Sequence, residues 1–220
     1  MRSSSHRRRL PALLRIVLLV LALMTVGAYI APRAMRTQST PEFTQQPTND
    51  ETPPVEPTEK HGKKLYTEFP EIPEGLSEKR QTILALSKQE FEDPQDATVY
   101  SEGAIEPWCA DLVSWIFREA GYPFENPHSG SWRIPGTMTL LDYFRSTGEW
   151  VEYDPEIRPQ PGDVPIYDTL SFFGQHTNIV VAIDGDEVVT LDGNSAKTIR
   201  LRGYHWDDEK ARVLGFARID

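Results

Sequence analysis

The sequence predicts an α+β domain that extends from about Leu76 to Asp220. Three segments with apolar residues at helical spacing come first, and five short runs rich in β-branched and aromatic residues follow Pro161-Gly162. Helices that precede a series of strands are typical of a fold in which the helices pack on an antiparallel sheet. Two further segments, one apolar and one proline-rich, precede this domain and differ from it in composition.

Residues 1–35 have the pattern of an export segment. Arg2 and the cluster Arg7-Arg8-Arg9 form a basic start, and an apolar run from Ile16 to Ala31 follows. An unbroken apolar run without a polar face argues against a buried core helix. We expect residues 10–31 to contact a membrane, with the N-terminus inside, either as a transmembrane anchor or as a signal peptide that is cleaved.

Residues 36–75 are predicted to form a disordered linker. Their first part, to about Gly62, is rich in Thr, Pro, Glu and Gln and has few apolar residues. Proline-rich chain is extended rather than compact, so this segment is expected to hold the domain at a distance from the membrane.

Charge is distributed unevenly along the chain. Residues 1–41 hold seven arginines and no acidic residue, so residues 42–220 contain 16 basic and 33 acidic side chains and carry a net charge near −17. Binding to nucleic acid needs clustered lysine and arginine that replace counterions on the phosphates. This composition therefore argues against nucleic acid as a partner.

Capping and turn residues delimit the predicted elements. Ser77 can cap a first helix that runs to about Phe91, and a second helix starts at Glu106-Pro107 because proline suits the first helical position. A third helix is predicted from Thr137 to Thr147. The second helix carries an apolar stripe made of Leu112, Val113, Ile116, Phe117 and Ala120. The predicted strands are Asp163–Tyr167, Thr177–Ile183, Glu187–Asp192, Thr198–Arg202 and Val213–Ile219.

Cys109 is the single cysteine, so no intramolecular disulfide and no multi-cysteine zinc site can form. A lone cysteine is by default a small buried apolar residue. If Glu106 caps the second helix, however, Cys109 falls in its first turn, where free N–H groups and the helix dipole favour a thiolate. Glu106 and Asp111 oppose that charge, so a reactive Cys109 requires a nearby histidine.

The hairpin near residues 177–192 selects the histidine. A two-residue Asp184-Gly185 turn mixes polar and apolar side chains on both faces of the hairpin. A three-residue turn with a left-handed Gly185 places the apolar side chains on one face and the polar ones on the other. The three-residue turn collects a core face and leaves a polar face on which His176 lies opposite Asp192, with Asn194 diagonal to it. The core face consists of Ile179, Val181, Val189 and Leu191.

These side chains suit nucleophilic catalysis. Cys109 would supply the thiolate and His176 the proton acceptor, while Asp192 or Asn194 would orient the imidazole. Taken singly, each has a structural explanation: His176 as a surface residue at a strand start, and residues 192–194 as a turn. A zinc site made of Cys109, His176 and Asp192 is the alternative, since these residue types ligate zinc, but a nucleophile with its base fits the pattern better.

Other candidate residues receive no site assignment. His128 lies in a polar loop that could border a cleft, and His205 lies beside two aspartates, where packing or surface exposure explains it better. Tryptophans are usually core residues, although Trp108 and Trp132 could line a cleft.

Four motifs in order resemble the CHAP domain, a family of papain-like amidohydrolases. They are Trp108-Cys109-Ala110-Asp111-Leu112-Val113-Ser114-Trp115, Gln160-Pro161-Gly162-Asp163-Val164, Gly174-Gln175-His176 and Leu191-Asp192-Gly193-Asn194. The resemblance covers residues 76–220 and implies a nucleophile helix packed on an antiparallel sheet, with Cys109 as nucleophile and His176 as base. Many CHAP domains have a glutamate two residues before an asparagine; Asp192 stands at that glutamate position here, one methylene shorter, and Asn194 matches the asparagine.

The resemblance also implies a substrate and a location. We expect a bacterial peptidoglycan hydrolase, either an N-acetylmuramoyl-L-alanine amidase or a cross-link endopeptidase, acting as a monomer outside the cell membrane. An inactive wall-binding or scaffold protein of the same fold is the alternative, and an amidase for small exported peptides is another. Some family members bind calcium through an acidic loop before the cysteine, which residues 101–106 do not reproduce, so no metal or cofactor is predicted.

Overall fold

The computed structural model describes residues 64–220. The predicted membrane segment, residues 1–35, and residues 36–63 of the predicted linker lie outside the described part. Within residues 64–220, no helix has both the length and the hydropathy needed to cross a membrane.

The described chain contains four helices and eight strands, with the helices mostly before the strands as predicted. The helices are α1 (Glu78–Glu92), α2 (Ala97–Tyr100), α3 (Cys109–Glu119) and α4 (Thr137–Thr147). The strands are β1 (Lys64–Tyr66), β2 (Trp150–Glu152), β3 (Val164–Tyr167), β4 (His176–Thr177), β5 (Ile179–Asp184), β6 (Glu187–Ser195), β7 (Thr198–His205) and β8 (Val213–Ala217). The α+β class is therefore confirmed for this part of the chain.

The strands form two antiparallel sheets, and one nearly continuous extended segment contributes a strand to each of them. One sheet has the order β1-β7-β6-β5 and the other the order β2-β8-β3-β4. β4 and β5 are separated only by Asn178, so the chain passes from one sheet into the other at this residue. Side chains on either side of Asn178 are thereby brought to the junction of the two sheets.

Helix α3 is the central helix of the domain. Every residue from Cys109 to Phe117 is buried, so the helix has no exposed face over this length. A helix that is apolar or buried all round must be covered on several sides. Here it contacts β6 and the junction residues of β4 on one side and helices α1, α2 and α4 on others.

Local capping explains α1 and α4. The Ser77 side chain accepts a hydrogen bond from Arg80 N at 3.4 Å, as expected of an N-cap residue, and α1 ends one residue after the predicted Phe91. Helix α4 has the predicted limits and ends at Gly148, which adopts a left-handed conformation with φ of 80°. Both predictions are confirmed.

Two features of the N-terminal part of the described chain differ from the sequence prediction. Helix α3 begins at Cys109 with Trp108 as N-cap, not at Glu106, because the Glu106 carboxylate pairs with Arg133 instead of capping the helix. β1 lies inside the range 36–75 assigned to the linker, where it pairs with β7. A three-residue strand has too little local pattern to be recognised and depends on its partner strand.

The hairpin turn was predicted incorrectly. Asp184 pairs with Glu187, so the turn has two residues, Gly185 and Asp186, and the extra residue lies in a bulge between Val180 and Ala182. Gly185 is left-handed as expected, with φ of 59°. The bulge restores the alternation that a simple two-residue turn would have broken. The predicted core face is accordingly confirmed, because all four of its residues are buried in one apolar cluster: Ile179, Val181, Val189 and Leu191.

Candidate active site

Cys109 is the first residue of α3 and is only 6% exposed. The first hydrogen bond of the helix runs from Leu112 N to Trp108 O at 3.0 Å, so the N–H groups of residues 109–111 precede the helical hydrogen-bond series. These groups and the helix dipole favour negative charge at this end of the helix. The predicted position of Cys109 in the first turn is confirmed.

Gly193 lets the cysteine helix approach the sheet closely. A Cβ atom at Gly193 would lie 2.9 Å from Leu112 Cδ2 and 3.1 Å from Trp108 Cζ3, both closer than normal packing allows. The residue belongs to β6 and not to a turn, which was the structural explanation considered for residues 192–194. Its missing side chain therefore brings the start of α3 next to the strand that carries Asp192.

His176 lies on β4 at the junction of the sheets and is buried. Its Nε2 atom is 2.8 Å from Asp192 Oδ1. Burial by itself would lower the pKa of His176, but the hydrogen bonds and charges of Asp192 and Cys109 outweigh burial and raise the pKa to about 9. The imidazole thus contacts Cys109 and Asp192, two of the three residues predicted to lie around it, and a pKa near 9 keeps it protonated at pH 7.

Asp192 is fully buried and accepts hydrogen bonds on both carboxylate oxygens. Oδ1 faces His176, Asn178 Nδ2 at 2.9 Å and Arg202 Nη2 at 3.0 Å. Oδ2 accepts from Arg202 Nε at 3.0 Å and from Thr190 Oγ1 at 3.2 Å. Burial opposes ionisation, yet His176 and the positive charge of Arg202 lower the pKa of Asp192 to about 2.

Asn194 lies near this cluster but does not share its hydrogen bonds. Among the described residues, no hydrogen bond joins Asn194 to His176 or Asp192. The pairing of β6 with β7 shifts register between Asp192 and Ser195, and Asn194 has a left-handed φ of 55°. This irregularity interrupts the alternation that placed Asn194 on the same face as His176.

Asn178, and not the predicted Asn194, is the asparagine that contacts Asp192. In the register Ile179↔Leu191, the next position places Asn178 opposite Asp192, two residues further along the strand than His176. Its amide donates to Asp192 Oδ1 and to Thr190 Oγ1 at 3.1 Å, and its Oδ1 accepts from the Tyr167 hydroxyl at 3.0 Å. The predicted three-residue turn displaces the strand pairing by two residues. A displacement by two leaves each side chain on its correct face but places His176, instead of Asn178, opposite Asp192.

Aromatic side chains cover the other side of the imidazole. The ring of Phe173 is nearly parallel to that of His176, with 6° between the planes and 5.9 Å between the centroids. The hydroxyls of Tyr167 and Tyr204 are 2.9 Å apart and buried, and burial is the main reason that the pKa of each is raised. Phe173, Asn178 and Arg202 were not among the predicted site residues. Of these three, only Asn178 carried a signal in the sequence, since strand alternation places it on the same face as His176.

An ion-pair cluster holds the loop before Cys109. Arg133 Nη1 is 2.8 Å from Asp111 Oδ1, and the same guanidinium pairs with Glu106 and, at 3.7 Å, with Glu102. Burial raises the pKa of Asp111 to about 6 despite the opposing effect of Arg133. The two acids that appeared to oppose a thiolate are thus partly neutralised by an arginine that the sequence analysis did not consider.

The remaining candidates lie outside the cluster. The side chains of His128 and His205 are exposed. Trp108 is buried and stacks on Tyr100 at 5.4 Å between ring centroids, and Trp132 lies against Arg118 with 4.0 Å from the guanidinium carbon to the ring centroid. Within the described range, no group of three or more His, Cys, Asp or Glu side chains is arranged to hold a metal ion.

A cysteine at a helix start, a protonated histidine and a buried aspartate form an arrangement typical of cysteine–histidine hydrolases. Comparison with protein families agrees with this class. Residues 100–194 match the model of the CHAP domain, the family that the four sequence motifs resemble.

The chain is similar to the crystal structure of Ly7917, with 18% identity and a TM-score of 0.36, and to that of Ly7917 with the hydrolyzing product of MDP, with 19% identity and a TM-score of 0.35. Each match covers 50% of this chain and 52% of the other, so the match spans about half the length of the solved structures. No curated protein matches the chain.

Proposed function

We propose that this protein is an extracytoplasmic peptidoglycan hydrolase that cleaves an amide bond through a cysteine thioester. The observation that carries the proposal is the buried contact of His176 with both Cys109 and Asp192, together with a pKa of His176 near 9. Such a histidine is an imidazolium at neutral pH, and an imidazolium beside a helix-start cysteine favours the thiolate. The match to the CHAP domain and the export pattern of residues 1–35 support the substrate and the location.

The first half of the reaction forms the thioester. The Cys109 thiolate attacks the amide carbonyl carbon, and the N–H groups in the first turn of α3 stabilise the negative oxygen of the tetrahedral intermediate. Since Asp192 holds Nε2 of His176, the other ring nitrogen, Nδ1, is the one that donates its proton to the leaving amine. The C–N bond then breaks, the amine departs and the acyl group stays on Cys109.

The second half regenerates the enzyme. His176 is now neutral and accepts a proton from a water molecule that attacks the thioester carbonyl. The carbon–sulfur bond breaks, the carboxylic acid is released, and the thiolate and imidazolium form again. Asp192 keeps its negative charge throughout and supports the imidazolium in both halves.

The direct test uses the full-length chain in detergent with purified peptidoglycan. We expect new amino groups without new reducing ends, because an amide and not a glycosidic bond is cut. Cys109→Ala and His176→Ala should abolish release, and His205→Ala, which changes an exposed histidine outside the site, should not. Equal release by wild type and Cys109→Ala would overturn the proposal.

Mass analysis of the products identifies the bond. A free lactyl carboxylate on the glycan and a free N-terminal L-alanine indicate an amidase. Cleaved peptides that are still attached to the glycan through the lactyl–alanine bond indicate an endopeptidase. If no wall is cut, labelling of Cys109 by a thiol probe at neutral pH, lost in His176→Ala, indicates an amidase for smaller exported substrates. An unreactive thiol indicates an inactive wall-binding or scaffold protein.

A further inference from the structure

We propose that Arg202 is a positioning residue of this site, which holds Asp192 ionised and in a fixed orientation so that one carboxylate oxygen faces His176. The inference rests on the cysteine–histidine chemistry proposed above. It assigns a function to a buried charge that the reaction steps themselves do not use.

The geometry is that of a two-point clamp. Arg202 Nε and Nη2 each lie 3.0 Å from a different oxygen of Asp192, and the arginine side chain is only 11% exposed. Two parallel N–H···O bonds fix the plane of a carboxylate as well as its position. Thr190 and Asn178 occupy further acceptor positions, so the carboxylate cannot rotate away from His176 without losing hydrogen bonds.

The charge of Arg202 is as important as its geometry. Asp192 is fully buried, and burial alone would favour its neutral form. The other titratable groups that face the pair are Cys109 from α3, Tyr167 from β3 and Tyr204 from β7, none of which is a permanent cation. Arg200 lies opposite Asp192 in the β6–β7 register but is partly exposed, and among the described residues it is Arg202, not Arg200, that forms an ion pair with Asp192. Arg202 is therefore the permanent positive charge that keeps Asp192 negative when the proton moves off His176 during the reaction.

Arg202 also contacts the aromatic wall of the site. Its guanidinium carbon lies 4.3 Å from the centroid of Phe173, the ring that stacks on His176. A lysine would keep the charge but lose the planar fork and this stacking contact. Charge and geometry can therefore be separated by substitution.

The test measures alkylation of Cys109 by iodoacetamide as a function of pH, in the full-length chain in detergent. We expect Arg202→Met to shift the acidic limb of the rate profile upward by about one pH unit or more, because a less ionised Asp192 no longer supports the thiolate–imidazolium pair. Arg202→Lys, which restores charge without the fork, should give a limb between those of wild type and Arg202→Met. If the acidic limb of the alkylation profile lies at the same pH in Arg202→Met as in wild type, the inference is overturned.

Arg80→Met is the matched control for loss of stability alone. Arg80 forms another buried arginine–aspartate pair, with Nη2 2.8 Å from Asp163 Oδ1. Its substitution should lower stability and leave the alkylation limb in place, whereas an equal shift in both variants would show a purely structural effect and overturn the inference. If Arg202→Met does not fold, the Arg202→Lys profile decides, and an unshifted limb there counts against Arg202.

The experiment separates this inference from the proposed function because alkylation requires no peptidoglycan. If the acidic limb of the alkylation profile shifts in Arg202→Met but wild type does not hydrolyse peptidoglycan, the role of Arg202 is supported and only the proposed substrate is wrong. If wild type hydrolyses peptidoglycan but the acidic limb does not shift in Arg202→Met, the proposed function stands and only the role of Arg202 is wrong.

Discussion

His176 Nε2 lies 2.8 Å from Asp192 Oδ1, and the two side chains are 8% and 0% exposed. Because water is excluded from this pair, each residue depends on the charge of the other. The pKa of His176 rises and that of Asp192 falls, and the stability of the domain becomes linked to the protonation of both.

The first prediction concerns stability at alkaline pH. The folded pKa of His176 is about 9, above its usual 6.5, so the stabilisation is complete below pH 6.5 and is lost as the pH rises through 9. We expect the free energy of unfolding to fall by on the order of 1–3 kcal/mol over this window. Denaturant unfolding at several pH values would measure it. His176→Gln should show a flatter curve, and a parallel curve would contradict the prediction.

The second prediction compares the two candidates for the third site residue. Asp192→Asn should lower amide hydrolysis by on the order of 10²-fold or more, because a neutral amide cannot support the imidazolium. Asn194→Ala should have a much smaller effect, since Asn194 makes no hydrogen bond to His176 or Asp192 in the described structure. Steady-state rates on peptidoglycan decide the matter. A larger loss in Asn194→Ala than in Asp192→Asn would reverse the assignment.

The third prediction tests the close approach of α3 to β6. Gly193→Ala places a methyl group 2.9 Å from Leu112 Cδ2, and overpacking of this kind costs about 1–3 kcal/mol. Chemical denaturation would measure the loss. In a double-mutant cycle, Leu112→Ala should cost less in the Gly193→Ala background than in wild type, because it removes Leu112 Cδ2, the atom closest to the added methyl group. Strictly additive losses would show that the two residues do not meet.

The fourth prediction concerns the buried pair that joins α1 to the start of β3. Asp163 accepts from Arg80 and from Ile219 N at 3.1 Å, and its side chain is 0% exposed. Asp163→Asn removes the only buried carboxylate paired with Arg80 among the described residues and leaves the more distant, exposed Asp220 at 3.4 Å. The free energy of unfolding should fall by about 3–5 kcal/mol. Thermal unfolding would detect it. Activity per folded molecule should stay near wild type, and a selective loss of activity would place Asp163 in the site.

Much of the site could be predicted because its elements have strong local patterns. The α3 stripe from Leu112 to Phe117 and the alternation around Ile179 and Leu191 are both visible in the sequence. Alternation decides the face on which a side chain lies, so Cys109, His176 and Asp192 were correctly expected to meet. It does not decide which residue lies opposite, and Asn178 was consequently overlooked.

The sequence by itself determined the class of fold, the place of Cys109 in the first turn of a helix and the face on which His176 and Asp192 meet. Only the tertiary structure decided the bulge at Val181, the passage of the chain between sheets at Asn178 and the pairing of Arg202 with Asp192. The reason is physical. Periodicity reports the burial of each residue within its own element, whereas register shifts and contacts between distant strands arise from the packing of all elements together. The aspartate could be recognised from its own strand, but the arginine that keeps it charged could not.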